Sequence, residues 1–296
     1  MIKNIKTLKA EMIILIQQYK LAFIGAGSMA EAILSGLLQQ EKLPSQNIYV
    51  TNRQNEDRLF ELKEKYGVQI SSSNEQVLAE ADIVILAMKP AGIKSAIDSI
   101  RPFTTERQLM ISVLAGITTD YISYLLGDKT PVIRVMPNTS AAVGSSATII
   151  SPGKYVNDEQ LTVTESLFQA VGLVRQVKEE DVDSVTAIAG SGPAYIYYLI
   201  EAMFHSLKEL HLESQLGEEL ILQTIQGTID VLKSTDQTPA ELYQNVKSPG
   251  GTTEAGLNVL ENNHFQEIMI NCIKQAANRS KEITKELSTI PENILT

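Results

Sequence analysis

Leu21-Ala-Phe-Ile-Gly25-Ala-Gly27-Ser-Met-Ala30 decides the architecture of this chain. A short apolar strand runs into Gly-x-Gly-x-x-Ala, and Glu31-Ala-Ile-Leu-Ser-Gly-Leu-Leu38 follows with apolar residues at helical spacing. Strand, glycine turn and helix in that order are the setting in which a dinucleotide rests its pyrophosphate on a helix N-terminus. Gly25 makes the tight turn, Gly27 lets the pyrophosphate approach the backbone and Ala30 allows close helix–sheet packing. Ala26, Ser28 and Met29 complete the loop. A merely tight turn needs no glycine at both positions.

Outward from that loop, apolar strands alternate with amphipathic helices, the pattern of a doubly wound parallel sheet. Strands are expected at Leu21–Ile24, Ile48–Thr51, Val68–Ile70, Ile83–Ala87, Leu109–Val113, Val132–Val135 and Ala147–Ile150. Helical segments fall at Arg58–Tyr66, Glu75–Ala79, Ile93–Ile100 and Tyr121–Leu126. After Ser151-Pro-Gly-Lys154 come a helix around Asp158–Val171 and a last strand, Leu173–Val177. From about Glu179 strand signals vanish, and Val182–Ile188, Pro193–Leu212, Gly217–Ser234, Pro239–Val246, Glu254–Glu261 and Phe265–Leu287 read as helices. Ala194-Tyr-Ile-Tyr-Tyr-Leu-Ile-Glu-Ala-Met-Phe204 is apolar nearly all round, so it should be buried on every face, with a second subunit supplying the extra cover.

Composition narrows the function classes. The 296 residues allow two domains, and a formal charge of −10 without a basic run excludes a phosphate-backbone footprint. With 5% aromatics and no Trp, stacking platforms for single strands are missing as well. Cys272 is the one cysteine, which excludes an intrachain disulfide and fits a reducing cytoplasm. It sits in an apolar helical stretch, as a packed thiol would. His205, His211 and His264 have no metal-ligand spacing, so no metal is expected. Lys3, Lys6 and Lys9 before Met12-Ile-Ile-Leu-Ile16 imitate a signal peptide. The apolar run is too short and lacks a cleavage site, so neither export nor a membrane span is expected. Met12 is an alternative initiator for what reads as an extension.

Two further places carry binding chemistry. The strand Ile48–Thr51 ends at Asn52-Arg53 with no carboxylate before Glu56. NAD-specific proteins place an acid near this point, whereas Asn52 and Arg53 suit a 2′-phosphate, so NADPH is expected, with NADH also accepted. A plainly solvated Arg53 is the alternative. Ala87-Met-Lys89-Pro90 closes a central strand at its carboxyl end, where ligands sit in open α/β sheets, although Lys89 alone could be an ordinary surface lysine. Ser248-Pro-Gly-Gly-Thr-Thr253 is a second glycine loop at a helix start. Its outward N–H groups could seat a carboxylate or simply cap the helix.

Together these residues resemble the pyrroline-5-carboxylate reductases, which catalyse the last step of proline synthesis. The similarity runs from Lys20 to Leu287. Ile24-Gly-Ala-Gly-Ser-Met-Ala30 is common to Rossmann proteins at large; Leu86-Ala-Met-Lys-Pro90 and Arg134-Val-Met-Pro-Asn-Thr139 follow it. Ala189-Gly-Ser-Gly-Pro-Ala-Tyr195 and Ser248–Thr253 are close to family-specific. The resemblance implies an N-terminal Rossmann domain over 20–178, after an extension over 1–19, and an all-helical dimerisation and substrate domain over 179–296. It implies a homodimer, commonly built into a larger ring, with a substrate site across the dimer interface. Carried over by position, Gly25 to Ala30 bind the pyrophosphate and Asn52 and Arg53 the adenosine end. Asn74, Ala87, Lys89, Pro90 and Ala115 line the path to the nicotinamide. Ser248, Gly251, Thr252 and Thr253 hold a small cyclic imino acid, and Thr253, the catalytic residue, hydrogen-bonds the ring nitrogen. The position before Ser248 is usually small in the family; here it is Lys247, expected to face the loop mouth and attract the substrate carboxylate.

Two rivals remain. A 3-hydroxyacid or 6-phosphogluconate-type dehydrogenase resembles this layout, but its Lys-x-x-x-Asn helix motif does not occur near residues 180–200. A non-catalytic relative, or a reductase of a related cyclic imino acid, is the other.

Overall fold

The apolar segments build β1 (Leu21–Ile24), β2 (Ile48–Thr51), β3 (Gln69–Ile70), β4 (Ile83–Leu86), β5 (Leu109–Ser112), β6 (Val132–Met136), β7 (Ser146–Pro152) and β8 (Gly172–Gln176). In the computed structural model, which describes residues 16–127 and 129–290, they form one sheet ordered β3-β2-β1-β4-β5-β6-β7-β8. β1 pairs in parallel with both β2 and β4, so the strand order reverses there and opens a crevice at their carboxyl ends. Among the described residues β6–β7 is the one antiparallel pair, with Arg134 facing Ser151. The sheet is therefore mostly parallel.

Burial on both faces explains why these strands read as unbroken apolar runs. Along β1, Leu21 and Phe23 point to one core while Ala22 and Ile24 point to the other. The first core is roofed by α1 (Ser28–Gln39), α2 (Glu56–Tyr66) and α6 (Asp158–Phe168) through Ile33, Leu37, Leu62 and Phe168. The second is closed by α3 (Asn74–Leu78), α4 (Ile93–Ile100) and α5 (Thr119–Leu126) through Leu78, Ile97 and Ile122. Complete burial of side chains such as Phe23 or Ile97 contributes about 1.5–3 kcal/mol each.

Residues 16–19, expected to lie in an extension, are built into this unit. Ile16 is fully buried in the first core, and its carbonyl accepts the Tyr19 N–H at 3.1 Å. The Gln17 carbonyl accepts from Asn47 Nδ2 at 2.9 Å. An apolar side chain at the end of the Met12–Ile16 run finds the core beside β1 and keeps it. The rest of the segment, including Lys3, Lys6, Lys9 and Met12, lies outside the described residues.

The described chain divides into two compact units. One runs to Ser191 and takes up the residues from Ala276 onward; the other is Gly192–Gln275. The first thus includes α7 (Val182–Val185), a π turn at Thr186–Gly190 and the last turns of α12 (Phe265–Leu287). Its two chain ends are stitched together by polar bonds. Arg134, 2% exposed, donates to Glu179 at 3.2 Å and Asp183 at 3.4 Å. The same Asp183 oxygen accepts Ser280 Oγ at 2.8 Å and Thr284 Oγ1 at 2.9 Å. Ser288 Oγ donates to the Gly116 carbonyl at 2.8 Å and accepts the Thr118 N–H at 3.0 Å.

The second unit holds α8 (Gly192–Glu209), α9 (Ser214–Ser234), α10 (Pro239–Val246), α11 (Thr252–Asn262) and the first part of α12. α10 begins at Pro239 with a capping box between Thr238 and Glu241. Within the chain this unit buries little. Leu207 packs on Gly217, where an added Cβ would come within 2.4 Å of its side chain. Of residues 194–204 none is buried, and Tyr197 and Tyr198 are 61% and 77% exposed. The cover expected for this helix is not supplied by its own chain.

Candidate active site

Three strand ends knit into one ledge in the sheet unit. The Gly25 N–H donates to the carbonyl of Thr51, the last residue of β2, at 3.0 Å, and the Ala87 N–H donates to the carbonyl of Ile24, the last residue of β1, at 2.9 Å. Gly25 has φ +112°, and a Cβ there would lie 2.7 Å from the Ala87 carbonyl carbon, so only glycine fits. Gly27 is the N-cap of α1, and no side chain caps that helix. First-turn N–H groups left free behind an exposed glycine fit a pyrophosphate. Ala30 is buried beneath them, Ala26 is buried beside them and Met29 packs on the first core. Ser28 is exposed.

The adenosine side shows where Arg53 goes. Its guanidinium is exposed and reaches Ser95 Oγ at 3.4 Å, while Asn52 Oδ1 accepts the Gln54 N–H at 3.4 Å. Asn74 donates Nδ2 to Ser99 Oγ at 3.0 Å. Ser95 and Ser99 are one turn apart on α4, so Arg53 and Asn74 share a side of that helix. Lys89 is exposed at the end of the β4 loop, Pro90 opens a 3₁₀ turn leading to α4, and Ala115 is exposed after β5. All the nucleotide candidates except Asn74 follow the carboxyl ends of β1, β2, β4 and β5; Asn74 opens α3.

One residue here was invisible to sequence reasoning. Arg58, on α2, donates Nε to the Ala26 carbonyl at 3.2 Å and NH2 to Glu31 in the first turn of α1. Glu31 also accepts Lys65 Nζ at 2.9 Å and Tyr66 OH at 2.8 Å. These donors, Lys65 and Arg58 foremost, hold the Glu31 carboxyl down at about 2. The spacing Glu31 to Arg58 follows no local rule, so no periodicity could have paired them.

The other candidates lie together in the helical unit. Gly250 has φ +71°, and a Cβ on Gly251 would come 2.3 Å from Ser248 Oγ. The Gly251 N–H closes the turn on the Ser248 carbonyl at 2.9 Å. Gly251 is the N-cap of α11, which has no side-chain cap, so neither Thr252 nor Thr253 serves as one. Lys247 departs from expectation. Its Nζ pairs with Glu254 Oε1 at 3.5 Å, and Glu254 Oε2 accepts the Gly250 N–H at 2.8 Å. That N–H, with Lys247 beside it, holds the Glu254 carboxyl below its ordinary range. The lysine charge is thus matched within the loop, because an acid one turn into α11 lies within its reach.

Two motifs distant in the chain are also bonded to each other. Asn138 caps the 3₁₀ turn after β6 and donates Nδ2 to the Ala189 carbonyl at 2.9 Å. Among the described residues no His, Cys, Asp and Glu group could hold a metal ion, and no helix is long and apolar enough to cross a membrane.

Known proteins resemble this chain over most of its length. Residues 179–283 match the family model for pyrroline-5-carboxylate reductase dimerisation, and residues 20–116 match that for NADP oxidoreductase, coenzyme F420-dependent. Pyrroline-5-carboxylate reductase 1 of Bacillus spizizenii is 45% identical over 94% of this chain and 93% of its own. Pyrroline-5-carboxylate reductase 2 of Bacillus subtilis is 45% identical over 91% and 96%. Among solved structures, Plasmodium falciparum pyrroline carboxylate reductase with NADP bound aligns with a TM-score of 0.84 at 31% identity, covering 91% of this chain and 99% of that one. The Coxiella burnetii pyrroline-5-carboxylate reductase aligns at 0.81 and 37%, covering 90% and 99%.

Proposed function

The chain belongs to the pyrroline-5-carboxylate reductase family, and from that membership we infer how its two glycine loops divide the work of the reaction. The enzyme reduces L-1-pyrroline-5-carboxylate to L-proline with NAD(P)H, the last step of proline biosynthesis. One observation carries the assignment of residues: both glycine loops deliver a helix N-terminus that no side chain caps. An anion belongs at each.

At the first, Gly25 to Ala30 receive the pyrophosphate, Asn52 and Arg53 the adenosine 2′-phosphate, and Asn74, Ala87, Lys89, Pro90 and Ala115 flank the remainder. When bound, NADPH supplies the hydride. At the second, Gly251 closes the turn on the Ser248 carbonyl, and the N–H groups of Thr252 and Thr253 with the Ser248 hydroxyl hold the substrate carboxylate, which fixes the ring. Thr253 Oγ1 meets the ring nitrogen. A cyclic imine is basic enough to carry a proton near neutral pH, and the resulting iminium carbon accepts hydride as the C=N π pair moves to nitrogen. Orientation, an anchor and one hydrogen bond then suffice. This accounts for a loop without a dedicated acid: its one carboxylate, Glu254, is ionised and tied to Gly250 and Lys247.

The helical unit pairs with a second copy through the exposed apolar helices, and dimers assemble further into a ring. The exposed Ile196, Tyr197, Tyr198 and Leu220 support that pairing. The single cysteine and the acidic composition fit a cytoplasmic enzyme.

Turnover of pyrroline-5-carboxylate, followed as NADPH oxidation, tests the reading together with Thr253→Ala. The variant should lose about tenfold to a thousandfold in rate while its affinity for NADPH stays unchanged. An inactive parent would remove the reading, and full activity in Thr253→Ala would remove Thr253 from the site.

A further inference from the structure

We propose that Arg58 is a positioning residue for the dinucleotide: by holding the Ala26 carbonyl and the Glu31 carboxylate at once, it aims the Gly27 N–H at the pyrophosphate and screens the carboxylate from it. The proposal rests on the assignment of Gly25–Ala30 to the cofactor.

The geometry is simple. In a trans peptide the carbonyl and the following N–H point in opposite directions. Arg58 Nε binds the Ala26 carbonyl from the α2 side at 3.2 Å, so the Gly27 N–H is turned away from α2. A glycine-rich loop has many backbone states, and one side-chain donor from outside selects among them. The second function is electrostatic. Glu31 lies in the first turn of α1, the end that must receive a doubly charged group. An uncompensated carboxylate there would oppose it. Arg58, Lys65 and Tyr66 all donate to this carboxylate, and Arg58 alone also reaches the loop backbone. Arg58 is itself clamped by Glu61 at 3.0 Å, one turn along α2.

Action at the pyrophosphate predicts a signature that distinguishes Arg58 from Arg53. Both NADP+ and NAD+ carry the pyrophosphate, whereas adenosine 2′-monophosphate has only the distal phosphate. In titration calorimetry on the full chain, Arg58→Ala should raise the dissociation constants of NADP+ and NAD+ by the same factor, about tenfold. Adenosine 2′-monophosphate should bind as to the parent. The KM for NADPH should rise with the dissociation constant while kcat at saturation is kept. Arg58→Lys preserves the charge beside Glu31 but cannot serve both partners, so it should weaken both dinucleotides too. That variant decides the matter should Arg58→Ala not fold. Parent-like binding of NADP+ by Arg58→Lys overturns the proposal, as does equal weakening of adenosine 2′-monophosphate. Failure of the parent itself to bind either dinucleotide would instead overturn the cofactor assignment.

Discussion

Lys247 and Glu254 close a ring of charge around the Ser248–Thr253 turn, with Nζ 3.5 Å from one carboxylate oxygen while the other takes the Gly250 N–H at 2.8 Å. Lys247 therefore acts on the loop through Glu254. Lys247→Ser should leave the carboxylate uncompensated at a helix start and raise the KM for pyrroline-5-carboxylate about two- to fourfold at low salt. The effect should shrink as salt is added, and kcat should hold. A salt-independent change in KM would contradict this account.

Arg53 is the residue proposed to separate the two nicotinamide cofactors. Arg53→Ala should weaken NADPH by about 1–3 kcal/mol and NADH hardly at all, since the partner proposed for it is the 2′-phosphate. Equal losses with both cofactors would return this exposed side chain to the solvated surface.

Glu31 ties stability to acid. Its carboxyl is held at about 2, against an ordinary value of 4.5, by Lys65 and Arg58. A lowered folded-state value stabilises the protein fully above the unfolded value and ceases to do so as pH falls through the folded one. Glu31→Gln should therefore cost about 2 kcal/mol at neutral pH, with parent and variant converging from pH 4.5 down to 2. Denaturant titrations across that range give the answer; a gap that stays constant with pH would sink it.

Asp183 is the hub of the buried network around Arg134. Asp183→Ala removes a charge partner of a guanidinium that is 1% exposed and the acceptor of both Ser280 and Thr284. The expected cost is about 3–5 kcal/mol in unfolding free energy. A loss below about 1 kcal/mol would show that Glu179 alone neutralises Arg134.

What could be read before folding and what could not divide along physical lines. Gly25 was legible because a positive φ and a backbone contact admit no side chain, and β1, β4 and β5 were legible because burial on both faces demands continuous apolar runs. The ends of α4, α10 and α12 matched to the residue, and α10 carries a capping box at its start. Arg58–Ala26 and Asn138–Ala189 were illegible because they join residues 32 and 51 positions apart through single polar atoms. Lys247 was misjudged for a smaller reason. Its partner lies one helical turn away, but whether a loop lysine turns toward that helix depends on the two glycines between them, which allow either.

The bonds from Ser280 and Thr284 to Asp183, and from Ser288 to Gly116, have a consequence for the order in which the molecule can be made. A ribosome delivers the nucleotide-binding half first, yet that half is bonded to residues that follow the helical unit. At about 5–20 residues per second, the stretch between Ser191 and Ser280 takes about 5–20 s to appear. During that interval Asp183 lacks two of its donors, and the loop after β5 lacks its lid. The nascent sheet therefore waits for the helices that follow it. A nucleotide-binding unit cut at residue 191 would carry this unfinished state permanently.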